Sequence, residues 1–291
     1  MSQTAPNLKP EPAVQVPKPI LYTGRFLQFI STSLAAKFGK RLFITPIKHK
    51  MPRREFHMDK ESKQTLMHIP AIGKDIVVYS YGESDKKILL AHGWSGRGTQ
   101  LVKIADHFVK LGYQTVSFDA PAHGKAPGKL TSMPEFIASI HEINKHFGSF
   151  EFAIGHSLGG MSLLNAVRED FQIKKLVTIG AADIITDIIL HFTRTLTLKD
   201  IVATKMKAIL DEKFGRDIDY ASASYAAKEV HIPTLVIHDE NDADVHVNCA
   251  YAIHEALSNG SIHITQNLGH RRILGNQEVI EMVESFLLED S

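Results

Sequence analysis

The chain has 291 residues, 44 % of them apolar, and a formal net charge of +1 with one cysteine. That length and composition suit one large globular domain with an appended element and exclude a disordered, collagenous or disulfide-built chain. Cys249, being alone, excludes an intrachain disulfide and any C-x-x-C metal or redox motif.

Residues 1–20 read as a disordered tail, because five prolines fall at Pro6, Pro10, Pro12, Pro17 and Pro19. Residues 21–56 form a second unit, a basic segment whose residues 22–43 read as one amphipathic helix. Phe26, Leu27, Ile30, Leu34, Phe38 and Leu42 fall near one stripe of it. Between Pro12 and Arg54 there are nine Lys or Arg and no acid, so residues 55–291 carry a net charge of about −8. Two uses of that asymmetry compete: docking on the acidic body, or peripheral contact of residues 22–43 with an anionic membrane surface. Nucleic acid is not an expected partner, since no recognition motif accompanies the charge. No run approaches ~18 uninterrupted apolar residues, so no spanning helix is expected. No charged n-region leads into an apolar h-region, and a cytoplasmic location, with membrane association as the variant, is the expectation. Nothing in the sequence fixes an oligomeric state.

Residues 57–291 read as a third unit. Strands are expected near 64–70, 75–81, 87–92, 113–119, 150–156, 174–180, 233–239 and 261–266. Helices near 99–111, 134–147, 158–169, 246–258 and 276–288 separate them. This alternation predicts an α/β fold with a mostly parallel sheet and helices on both faces. One stretch departs from it: residues 183–230 read as a helical insertion, with Ile184, Ile185, Ile188, Ile189 and Phe192 at helical spacing.

The chemistry gathers at strand ends. An apolar run from Phe150 to Ile154 leads into Gly155-His156-Ser157-Leu158-Gly159, and a small-residue helical run follows. This is a G-x-S-x-G pattern in its strand–turn–helix context. A turn that sharp strains the serine backbone and demands near-bare neighbours, which Gly155 and Gly159 supply. Upstream, a strand ends in His92-Gly93-Trp94. Acyl transfer needs two backbone N–H groups aimed at the developing oxyanion, and Leu158 and Trp94 are the expected donors. Asp119 and His123, at the end of the next strand, are expected to hold its loop rather than react. The strand at 234–239 ends among carboxylates, of which Asp242 has the best spacing for orienting a histidine, with Asp244 and Asp239 as rivals. The last strand runs into a loop carrying Gly269-His270, where a general base belongs.

The order Ser157, Asp242, His270 resembles the α/β-hydrolase superfamily over about residues 63–289. More narrowly, His92-Gly93-Trp94-Ser95-Gly96-Arg97-Gly98 and Gly269-His270-Arg271-Arg272-Ile273-Leu274 are similar to a group of bacterial α/β hydrolases with mostly unassigned substrates. The resemblance implies an eight-stranded α/β-hydrolase sheet, a helical cap at about 183–230, and a serine hydrolase acting on a small-molecule acyl substrate without a cofactor. Cleavage of an ester or thioester is the favoured reaction. C–C bond hydrolysis, peptidase and acyltransferase chemistry use the same triad, and a non-catalytic binding protein on this fold is the contrasting class. The chain departs from the superfamily at Ala122 and Lys125, where Gly and Ser are frequent, and at Asp239, where Gly often precedes the acid.

No metal site is expected. His141-Glu142 and His146 resemble H-E-x-x-H, but the second histidine is five positions on. That turns the two rings about 140° apart around a helix. No Walker loop or dinucleotide fingerprint is present.

Overall fold

The computed structural model describes residues 16–289. Eight strands form one sheet: β1 (Lys63–Ile69), β2 (Lys74–Tyr81), β3 (Lys87–Ala91), β4 (Gln114–Asp119), β5 (Phe152–His156), β6 (Lys175–Ile179), β7 (Thr234–Asp239) and β8 (Gly260–Thr265). Their spatial order is β1-β2-β4-β3-β5-β6-β7-β8. β2 pairs antiparallel with both β1 and β4, and every pairing from β4 through β3 to β8 is parallel. A parallel sheet is buried on both faces, which explains why its strands are near-continuous apolar runs.

Side chains alternate across each strand and sort into two cores. Leu89, Ala153, Leu176 and Val236 face one way, with Phe136 and Ile140. Ile88, Leu90, Phe152, Ile154, Val177, Ile179, Leu235 and Ile237 face the other, with Ile104, Phe108 and Val283. Full burial of each large aliphatic or aromatic side chain contributes about 1.5–3 kcal/mol.

The helices, in chain order, are α1 (Lys18–Ile30), α2 (Thr32–Phe43), α3 (Phe56–Glu61), α4 (Val102–Lys110), α5 (Met133–Phe147), α6 (Leu158–Arg168), α7 (Ile185–Thr195), α8 (Asp200–Phe214), α9 (Ala223–Ala227), α10 (Asn248–Ala256), α11 (Gly269–Arg272) and α12 (Gln277–Leu288). α5, α6, α9 and α10 cover the first face, and α3, α4 and α12 the second. α7 and α8 lie between β6 and β7 and pack with α1 and α2 in a third apolar cluster.

The N-terminal segment differs from its sequence reading. The tail expected at 1–20 lies outside the described residues up to position 15, and from Lys18 on it is helical. Pro19 is tolerated there because the first helical N–H groups lack intrahelical partners anyway. The single helix expected at 22–43 is two helices, broken at Ser31, whose backbone is extended (φ −162°, ψ 125°). Ser31-Thr32-Ser33 is a run of residues that favour caps over helix interiors. Docking on the body is achieved by apolar contacts, not charge. Gly24, Ala35, Ala36 and Gly39 are buried, and Leu27 and Leu42 pack beside Leu198, Met206 and Leu210. Among the described residues, the only one of the nine basic side chains in an ion pair is Arg54, with the adjacent Glu55 at 3.8 Å.

Candidate active site

Ser157 closes β5 with φ 52° and ψ −120°, a conformation L-residues adopt only under strain. The glycines around it are required by space. A Cβ on Gly155 would lie 2.6 Å from Gly159 and Gly160 backbone, and one on Gly159 would lie 2.2 Å from the Ala91 carbonyl oxygen. Ser157 N–H donates to the Ile179 carbonyl (2.9 Å), fixing the elbow to the end of β6.

The next residue, Gly180 (φ 60°), forms a floor under the imidazole of His270. A Cβ there would come within 3.3 Å of His270 Nδ1 and 3.6 Å of Asp242 Oδ2. His270 Nδ1 donates to Asp242 Oδ2 over 2.6 Å, which leaves Nε2 as the basic nitrogen. Asp242 Oδ1 accepts from the N–H groups of Asp244 and Val245 (2.8 and 2.9 Å). Burial pushes this carboxyl's pKa up, but the His270 hydrogen bond, the His270 charge and the two backbone donors prevail and hold it below the usual range. The rival carboxylates are engaged elsewhere. Asp239 is buried and accepts from Asn241 N–H, Thr265 Oγ and Leu268 N–H. Asp244 lies 3.8 Å from Arg271. No described hydrogen bond joins Ser157 Oγ to His270, so the structure brings Asp242 and His270 into contact and sets Ser157 beside them through Ile179–Gly180.

The backbone of Gly93 abuts the serine: a Cβ there would lie 3.0 Å from Ser157 Cβ. Gly93 N–H donates to Gln100 Oε1 (2.9 Å) and Ser95 N–H to His123 Nε2 (3.0 Å). Between them, Trp94 N–H donates to no described group, and neither does Leu158 N–H at the start of α6. Asp119 is fully buried and clamps two loops by accepting from Gly98 N–H, Lys125 N–H and Tyr79 Oη at 2.6, 2.6 and 2.9 Å. Burial pushes its carboxyl up, against those three bonds. His92 accepts from Ala120 N–H at Nε2 and donates from Nδ1 to the Gly93 carbonyl, so it is a buried strut.

His156 went unremarked as the variable second position of the elbow pentapeptide. The structure puts its buried ring 4.6 Å from that of His270, with Nε2 donating to the His270 carbonyl (2.8 Å). Burial, then the neighbouring His270, lowers its pKa to about 3, so the ring is neutral. No spacing rule in the sequence marks this pair. The lone thiol is no rival nucleophile: burial and Asp183 push Cys249 up to about 11. Among the described residues no group of side chains could hold a metal ion.

The family described as "Serine aminopeptidase, S33" matches residues 82–213. No curated protein matches the chain. Solved structures do. A putative lipase from Acinetobacter baumannii is 18 % identical (TM-score 0.62; 83 % of this chain, 97 % of that one). An esterase from Exiguobacterium antarcticum is 15 % identical (TM-score 0.62; 78 % and 100 %). A bromoperoxidase from Bacillus anthracis is 18 % identical (TM-score 0.60; 78 % and 100 %). At such identities the likeness is one of fold. With its eight-stranded order and strained serine elbow, the chain has the α/β-hydrolase fold.

Proposed function

We propose that the chain is a serine hydrolase that cleaves a carboxylic ester or thioester of a small, partly apolar substrate through an acyl-enzyme. The observation that carries this reading is the strained Ser157, flanked by two unengaged N–H groups and set beside a buried Asp242–His270 pair joined over 2.6 Å. His270 Nε2 takes the Ser157 proton as Oγ bonds to the acyl carbon. The carbonyl electron pair moves to oxygen, where Trp94 and Leu158 N–H groups hold it. The pair returns, the bond to the leaving group breaks, and His270 hands it the proton. Water then repeats the sequence on the acyl-serine. Asp242 stays ionised and keeps Nδ1 protonated and Nε2 free. No step calls for a cofactor.

The lipase and esterase among the similar folds support ester chemistry, and the bromoperoxidase limits that support. The aminopeptidase family description favours peptide hydrolysis as the second reading. A fluorophosphonate probe tests the core of the proposal. Wild-type protein should gain one covalent phosphonyl group, at Ser157, and Ser157→Ala none. Side-by-side assays on p-nitrophenyl esters, acyl thioesters and aminoacyl p-nitroanilides then rank the substrates. Failure to label and to turn over any of them makes the chain a binding protein on this fold.

A further inference from the structure

α1 has two apolar faces. One is spent on α2 and the cap helices. The other carries Tyr22, Phe26, Phe29 and Ile30, which are 63, 63, 90 and 56 % exposed. At about 100° per residue these four span roughly 100° of the helix surface. Lys18 and Arg25 lie along one margin of that face, and Lys37 and Arg41 are exposed on the neighbouring α2. Monomeric proteins rarely leave so many large apolar side chains together in water.

The cations around this face make no ion pair with any described residue, though Arg25 Nε donates to Thr197 Oγ1. Of the nine basic residues from Lys18 to Arg54, only Arg54 makes an ion pair with a described residue. The rest of the chain is acidic, yet the hairpin meets it through apolar packing and uncharged acceptors and donors such as Thr197, Gln28 and Ser33, not through carboxylates of the body. A partner for the outer face must therefore be apolar at the level of the aromatic rings and negative around them. An interfacial helix on an anionic bilayer has that pattern, with rings in the acyl boundary and Lys and Arg among headgroups.

We propose that the α1–α2 hairpin docks the protein on an anionic lipid surface through Tyr22, Phe26, Phe29 and Ile30. No helix of the described chain is long and apolar enough to span a membrane, so the contact is peripheral. It also bears on the candidate site. α2 runs into residues 44–50, where Ile47 N–H donates to Ser95 Oγ (2.9 Å) and Arg97 Nη2 donates to the His49 carbonyl (2.7 Å). Ser95 adjoins Trp94, so residues 44–50 tie the hairpin directly to the loop that carries Trp94.

The test is co-sedimentation of the full chain with phosphatidylcholine vesicles, with and without phosphatidylglycerol. Ser157→Ala is the background, so the result is independent of the hydrolytic reading. Binding is expected only with phosphatidylglycerol, and it should fall steeply as salt shortens the Debye length from about 10 Å at 0.1 M to about 3 Å at 1 M. Phe26→Ser with Phe29→Ser should weaken it at least about tenfold, as expected for removing two inserting rings. The melting temperature of that double variant should match that of Ser157→Ala alone, and the same two substitutions in the chain that keeps Ser157 should leave turnover of a soluble ester at the wild-type level. Absence of binding to anionic vesicles, equal binding to neutral ones, or undiminished binding by the double variant overturns the proposal. So does a wild-type dimer that the double variant converts to monomer, because a second copy then covers the face.

Discussion

His156 Nε2 donates to the backbone carbonyl of His270 over 2.8 Å, and the two rings lie 4.6 Å apart, tilted by 47°. The elbow thus touches the histidine loop through the residue before the serine. Asp242 fixes the imidazole from one side and His156 fixes its backbone from the other.

His156→Phe keeps the ring and removes the donor. A hydrogen bond of this kind is worth about 1 kcal/mol net, so kcat should fall roughly fivefold to tenfold with KM unchanged. Steady-state kinetics on a soluble ester, with melting temperature as control, measures it. Unchanged kcat would make the contact incidental.

Ser157 occupies a backbone region that costs of the order of 1–3 kcal/mol in a non-glycine residue. Ser157→Gly should abolish labelling and turnover and also raise the melting temperature. Ser157→Ala keeps the strain, so it should lose on the order of 10⁶ in kcat with little change in stability. Calorimetry of the two variants separates strain from chemistry.

The three aspartates from the end of β7 onward, Asp239, Asp242 and Asp244, should give three different phenotypes. Asp242→Asn should cost far more activity than Asp244→Asn, because an amide cannot stabilise the imidazolium and favours the wrong tautomer. Asp239→Asn should act on stability, since Asp239 is buried and accepts from Asn241 and Leu268 N–H groups and Thr265 Oγ. Activity and urea midpoints measured on the same three proteins assign each role. A larger activity loss at Asp244 would move the acid.

Burial lowers the pKa of His92 far below the ordinary imidazole value of about 6.5, that of His123 to about 4 and that of His156 to about 3. All three are neutral when folded and become protonated in the unfolded chain below about pH 6.5. The unfolded state then binds more protons, so stability rises with pH across that window. It is complete above about 6.5 and drains away as pH falls toward 4 and then 3. Each histidine contributes at most about 1.4 kcal/mol per pH unit. Urea midpoints should drop steeply from pH 7 to 5, and His156→Phe should flatten the slope by about one proton.

The sheet was legible because buried parallel strands are short apolar runs bounded by turns, a signal that survives without tertiary knowledge. Its chemistry was legible where geometry forces residue type, as at Gly155 and Gly159, where any Cβ collides with backbone. The choice among Asp239, Asp242 and Asp244 was not, because three aspartates within six residues differ only in where the loop aims them. Neither was α1. Helical periodicity finds apolar residues on a surface but does not say what covers them. The stripe read from sequence mixes Leu27, which packs with α7 and α8, with Phe26 and Ile30, which do not, and leaves out Tyr22 and Phe29.

The hairpin and the α7–α8 pair it packs on are far apart in the chain: Arg25 Nε donates to Thr197 Oγ1 across 172 positions. During synthesis at about 5–20 residues per second, α1 and α2 emerge roughly 10–30 s before the helix that covers them. For that interval both apolar faces of the nascent hairpin are open. An early holder, whether a chaperone or a lipid surface, would therefore act on this protein before its sheet exists.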